Sequence, residues 1–389
     1  MDGLAARPRF QALVVLKSKM GELEAAARMS RADVAVVQPL VEILPTVTPD
    51  GRLLPKLVAA AVALARQDRP LMVDCSLLHP SSPLSQWPRG PLDMLSQHIR
   101  QRAIREYGDC AENLVPLIPV LRADDSVAAL RTVKLLDEDL GCGAALRVQI
   151  SDPARANAAR RWVDRALDLM RLPAGAVDLI LDLGYLASGR TRHLDLALIA
   201  LDQLGSHHGL RSTTLVSGSV PPARNGFDTV RLDRAELDVW QAVRDERIGR
   251  DICYGDYGVV HPIPPAREPN YPVTVYPFLY YTVSDGAVFL RRQLPRGTDR
   301  RVPKGAAAQH FLDLTDELTD REEYAGPEFS WGDSQINDCA QRRIDNVGTA
   351  WRWIAMGTSH HVAQLSHIPL TLDIPTQRTK EDRTRQHER

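Results

Sequence analysis

The stretch VDLILDLGYL, residues 177–186, reads as a buried β-strand interrupted by one charge, Asp182, among leucines and an isoleucine. A carboxylate in a strand covered on both faces is costly unless it is paired or faces a polar space. Apolar runs of the same kind begin near residues 10, 34, 70, 113, 144, 177, 212 and 251, as in FQALVVLKSK, VAVVQPLVEIL, PLMVDCSLL and DICYGDYGVVHP. Between them lie helical stretches such as LPKLVAAAVALARQ, SVAALRTVKLLDEDLG and ARANAARRWVDRALDLM. Asp152 before Pro153, and Asp124 with Asp125, offer helix starts, and Gly141 offers a stop. Strands alternating with helices imply βαβ units and a parallel sheet. Eight units fit a (β/α)8 TIM-like barrel in the α/β class, here expected over residues 10–262. A doubly wound open sheet is the rival architecture.

After His261 the pattern changes. IPPAREPNYP is a Pro-rich connector, and VTVYPFLYYTVSDGAVFLRRQL alternates around an SDG turn, as a hairpin does. Two helical stretches follow, so residues 270–368 are expected to form an α+β appendage of hairpin plus helices. Trp351, Trp353 and Phe311 at helical spacing are expected core. The polar residues 376–389 are expected to be disordered.

Composition narrows the function classes. The 389 residues are 44% hydrophobic and 25% charged, with a formal net charge of −1. That balance gives no sign of nucleic-acid binding, which calls for a basic face. No apolar run is long enough to cross a bilayer, so no membrane partner is expected. Five dispersed cysteines without a CxxC pair fit reduced thiols and a cytoplasmic location.

Side chains alternate along a strand, so Asp182 shares a face with Ile180. By the same parity Lys17 and Lys19 go with Val15, Glu42 with Leu40, Asp74 with Met72, Arg147 with Gln149, and Asp256 with Tyr254. Most of these charges end their apolar runs, at the strand ends where barrels build active sites. They are expected to converge on one mouth. Lys17, Lys19 and Arg147 would hold an anion there and Asp74 would help line the site. Glu42, Asp182 and Asp256 would act as acid, base or divalent-metal ligands. The plainer alternative is a satisfied polar plug with no chemistry.

Ser217 and Ser219 in SGSVP follow the seventh strand, where barrels often bind phosphate; an ordinary turn is the alternative. His261 before Pro262 is either a turn residue or a general base. The pairs His207/His208 and His360/His361 lack the spacing of helical metal ligands, and no metal site is assigned. There is no GxGxxG, Walker loop, GxSxG elbow or kinase set, and no cofactor is assigned. Lys17 or Lys19 could form a Schiff base if its pKa were depressed. In FSWGDSQI, Asp333 is expected to cap the following helix. The sharper alternative has the appendage roof the mouth, steadied by Trp331, and deliver Asp333, Arg352 or His360 to it.

The segments VVLKSKMGELEAA, QPLVEILP, LILDLGY, SGSVP, YGDYGVVHP, FSWGDSQI and WRWIAMGTSHHV together resemble the beta family proteins of bacteria and their phages. So do the short pieces at 280–282 and 296–297, and the likeness runs from about Phe10 to Val362. It departs at the entry motif, where Lys17-Ser18-Lys19 stands in place of an aromatic-flavoured sequence. The resemblance implies association with anti-phage immunity loci, in which the namesake sits beside a toxic partner; it implies no reaction. Two function classes follow. One is an antiviral defence protein with an enzyme-like pocket for a small anionic or nucleotide-like ligand. The other is a non-catalytic immunity component that senses a phage product or restrains a toxic partner through its surface.

Overall fold

The computed structural model describes residues 9–111, 114–122, 125–187, 190–204, 209–223, 226–247, 251–263, 275–296, 302–344 and 346–367. The expected polar tail and His207/His208 lie outside these residues. Eight parallel strands close into a barrel: β1 (Ala12–Lys17), β2 (Val37–Glu42), β3 (Leu71–Asp74), β4 (Leu117–Arg122), β5 (Ala144–Gln149), β6 (Val177–Tyr185), β7 (Ser212–Gly218) and β9 (Cys253–Asp256). Closure removes the open-sheet alternative, because β9 pairs with both β1 and β7 and leaves no edge.

The strands read as continuous apolar runs because both faces are covered. Leu13, Val15, Leu40, Met72, Ile180 and Val216 fill the barrel interior. Val14, Leu16, Val41, Val73 and Leu215 pack outward against the helices. The helices between consecutive strands are α1 (Met20–Ala27), α2 (Arg31–Val36), α3 (Leu53–Ala65), α4 (Pro91–Tyr107), α5 (Val127–Leu140), α6 (Pro153–Met170), α7 (Arg190–Leu204) and α8 (Ala235–Glu246). Asp152 caps α6 by accepting the Arg155 N–H at 2.9 Å, with Pro153 in the first turn. At α5 the cap is Ser126 rather than Asp125, whose carboxylate instead accepts the Arg122 N–H at 2.8 Å. Gly141 closes α5 in the left-handed conformation.

The hairpin β10 (Phe278–Val283) and β11 (Gly286–Arg291) has a third partner that the sequence pattern did not reveal. β8 (Val230–Leu232), from the β7–α8 connection, pairs with β11. One face of this sheet carries Leu279, Tyr281, Val288 and Leu290 into a core shared with α9 (Ala306–Thr319), α10 (Trp331–Ala340) and α11 (Ala350–His367). Phe311 and Trp353 stack within that core at 5.3 Å, and Trp351 is half-buried. α11 also reaches the barrel, where Val362 and Leu365 join its outer core. No described helix is long and apolar enough to cross a membrane.

Candidate functional site

Barrel register assembles the first charges. Lys17 pairs with Glu42, and Glu42 with Asp74, so three adjacent strands end on one charged row. From the far side of the barrel Arg147 reaches inward, and every N–H of its guanidinium is engaged. It donates to Asp182 at 3.0 and 2.8 Å, to Glu42 at 2.7 Å, to Asp74 at 2.8 Å and to the Tyr257 hydroxyl at 2.7 Å. Lys17 Nζ donates to Glu42 and, at 2.7 Å, to the Pro262 carbonyl, while lying 5.0 Å from the Tyr257 ring centroid. The Tyr257 hydroxyl donates to Asp182 at 2.9 Å. The five charged side chains are between 0 and 4% exposed. Arg122, half-buried at the rim, adds a cation 3.9 Å from Asp74.

Burial raises the cost of the Asp74 carboxylate, but the charges of Arg147 and Arg122 outweigh it and hold its pKa below the ordinary value. Burial alone would lower the Arg147 pKa, yet Tyr257, Asp182, Glu42 and Asp74 drive it well above its usual range. The arrangement is a charge-matched lattice. Its cations face carboxylates, and Arg147 at its centre keeps no N–H for an outside anion.

Asp256 is not in it. The register pairs Asp256 with Val14, an outward position, so its side chain packs beneath the helices. There it accepts from Arg234 at 3.1 Å, the Tyr254 hydroxyl at 2.7 Å and His361 of α11 at 3.0 Å. Burial pushes the Asp256 pKa up, but His361 and Arg234 overcome this and hold it well below the carboxylate range. Parity correctly grouped Asp256 with Tyr254, but that pair occupies the outer face. The inward residue is the next one, Tyr257.

The remaining candidates scatter. Lys19 is half-buried at the start of α1. Ser217 is buried at the end of β7, and Ser219 donates weakly, at 3.4 Å, to the Asp233 carbonyl. His261 donates through Nδ1 to the Val220 carbonyl at 2.8 Å and meets the edge of Tyr185 at 4.5 Å. Asp333 is not the cap of α10. Ser330 is, accepting the Asp333 N–H at 3.1 Å, because the helix begins at Trp331 and places Asp333 a turn inside. The Asp333 carboxylate takes the Tyr281 hydroxyl at 2.7 Å and His360 Nδ1 at 2.9 Å, so both residues are engaged within the appendage. Arg352 stacks on Trp351, and Trp331 lies under Arg28. Among the described residues no group of three or more His, Cys, Asp or Glu could hold a metal ion.

The sequence reading missed one further group. Glu22, on the first turn of α1, is buried; its Oε1 accepts the Lys17 N–H at 2.7 Å and its Oε2 has no partner among the described residues. Burial pushes its pKa up to about 7, against the lowering effects of the Lys17 N–H and the charges of Lys17 and Lys19.

The model of the family described as Beta protein matches residues 14–367, nearly the whole chain. No curated protein matches the chain.

Proposed function

Because the chain belongs to the Beta protein family, we propose that it serves phage immunity as a non-catalytic component, recognising a phage product or a toxic partner through its surface. The immune context rests on the family resemblance. The non-catalytic part rests on one observation: every N–H of Arg147 is bound to groups of the protein itself, in a network almost wholly shielded from solvent. A catalytic mouth needs groups that a substrate can reach, and a ligand-holding arginine needs free donors. Lys17, Glu42, Asp74, Arg147 and Asp182 then hold the strand ends together, and the rigid barrel presents its loops. The free thiols Cys75, Cys142, Cys253 and Cys339 suit a cytoplasmic setting for such a protein.

The test is Asp182→Asn, which keeps the shape and removes the charge. Phage protection in cells should fall only as far as the folded fraction falls. A variant that is folded like wild type but unprotective would restore the enzyme-like reading of the mouth.

A further inference from the structure

Successive histidines on α11 close on one residue of β10 from two sides. His360 Nε2 lies 2.7 Å from the Thr282 carbonyl, and His361 Nδ1 lies 2.8 Å from the Thr282 hydroxyl. The other two ring nitrogens face carboxylates. His360 Nδ1 meets Asp333 of α10 at 2.9 Å, and His361 Nε2 meets Asp256 of the barrel at 3.0 Å. All of these side chains are buried.

The partners fix the protons. A hydroxyl can donate, so His361 needs one proton only, on Nε2, with Nδ1 accepting from Thr282. A carbonyl oxygen and a carboxylate only accept, so His360 needs a proton on both nitrogens. The surroundings of Asp333 are built for its charge. It accepts the Tyr281 hydroxyl at 2.7 Å and the Ser330 hydroxyl at 2.6 Å. Burial, and then the Asp333 charge, hold the Tyr281 hydroxyl protonated far beyond its usual range, so it remains a donor. The His360 ring also lies against π faces, with Tyr281 stacked on it at 3.6 Å and Phe329 at 5.2 Å. Such faces favour a cation over a neutral ring. The other titratable groups near the pair are Tyr324, whose hydroxyl donates to the Asp333 carbonyl at 2.9 Å, and His361, with Asp256 and Arg234 beyond it. Among the described residues no lysine or arginine bonds the ring or Asp333, so His360 is the cation that balances this carboxylate.

We propose that His360 is kept as a buried imidazolium and serves as a proton-gated pin: protonated, it holds the hairpin to α10 and α11, and that packing loosens when the proton goes to solvent. A neutral ring would turn a lone pair toward the Thr282 carbonyl or toward Asp333, leaving one buried acceptor unpaired. Thr282 also donates to His361, so the disturbance passes to the bond with Asp256 and to the contact of α11 with the barrel. This goes beyond the surface-recognition reading and does not depend on it.

Nitrogen-15 NMR of the full chain with labelled histidine, followed as pH is raised, tests the pin, with amide exchange measured in parallel. The signal lost in His360→Gln assigns the ring. With the appendage intact, both His360 nitrogens should carry protons, while His361 should show one bare nitrogen. Loss of the second His360 proton should coincide with a drop in the protection factors of β10 and α11 on the order of tenfold, with β4 and β5 unchanged. Asp333→Asn can donate an amide N–H to Nδ1 and so needs only a neutral ring; the drop should vanish in that variant. A melting curve matching wild type establishes that it is folded, and otherwise the wild-type titration alone decides. The inference is overturned if His360 shows a bare nitrogen while α11 is protected, if its proton leaves without a change in protection, or if folded Asp333→Asn keeps the drop. Phage protection is not the readout, so failure here leaves the surface-recognition reading standing, and the converse holds.

Discussion

LDLG at 181–184 and GDYG at 255–258 are the same local device with opposite outcomes. In each, the aspartate accepts the glycine N–H two residues on, Gly184 at 2.8 Å and Gly258 at 2.9 Å. Both glycines have positive φ, 70° and 61°, which an L side chain rarely adopts. Yet Asp182 points into the barrel and Asp256 points out of it. The inner carboxylate meets Arg147 and Tyr257, so its network ties strand to strand. The outer one meets Arg234 and His361, so its network ties a strand to the β8–α8 connection and to α11. The turn chemistry is local; the face is decided by register with the neighbouring strand, Val14 being outward where it pairs with Asp256. The bulge between Asp182 and Gly184 lies beyond the carboxylate and leaves its inward direction intact.

The sharpest way to break the comparison is to empty the centre of the inner network. Arg147→Met leaves Glu42, Asp74 and Asp182 buried without their shared cation, and should cost about 3–5 kcal/mol in chemical denaturation. A loss under about 1 kcal/mol would mean the lattice is not what holds the strand ends.

The outer network should respond more weakly and elsewhere. Asp256→Asn removes the anion facing His361 and Arg234, at an expected cost of roughly 2–3 kcal/mol, with faster amide exchange concentrated in α11. The pH dependence follows from the depressed pKa of Asp256. Its contribution is fully present above the unfolded carboxyl value near 4 and is lost as pH falls toward the folded value. Asp256→Asn should therefore flatten the acid limb of stability against pH. An acid limb identical to wild type would contradict the assignment.

Glu22 has the opposite sign. With its pKa raised from 4.5 to about 7, its contribution is fully present below pH 4.5 and is lost as pH rises through 7. Glu22→Gln should stabilise the chain by roughly 2 kcal/mol at pH 8 and by little at pH 5. Equal effects at the two pH values would show that Glu22 is ordinarily ionised.

The eight strands were legible because a parallel barrel buries both strand faces, which leaves apolar runs such as ALVVLK with their charges at the ends. β8 was not legible: VRL is three residues, part-exposed, and owes its strand to β11, more than fifty residues away. Asp182 announced itself as a charge in an apolar run. Arg234 and Glu22 did not, since each sits at the start of an amphipathic helix, where a charge ordinarily means solvent. His361 was read beside His360 as one pair. On the helix the two diverge, His360 to Asp333 and His361 to Asp256, and only the tertiary packing of α11 decides this.

The most direct measurement is phage protection plotted against folded fraction for Asp182→Asn and Asp256→Asn side by side. If the inner lattice is structural, both variants fall on the same line, protection tracking the amount of folded protein. If Asp182→Asn drops below the line that Asp256→Asn follows, the mouth carries chemistry or binding of its own, and the non-catalytic account is contradicted.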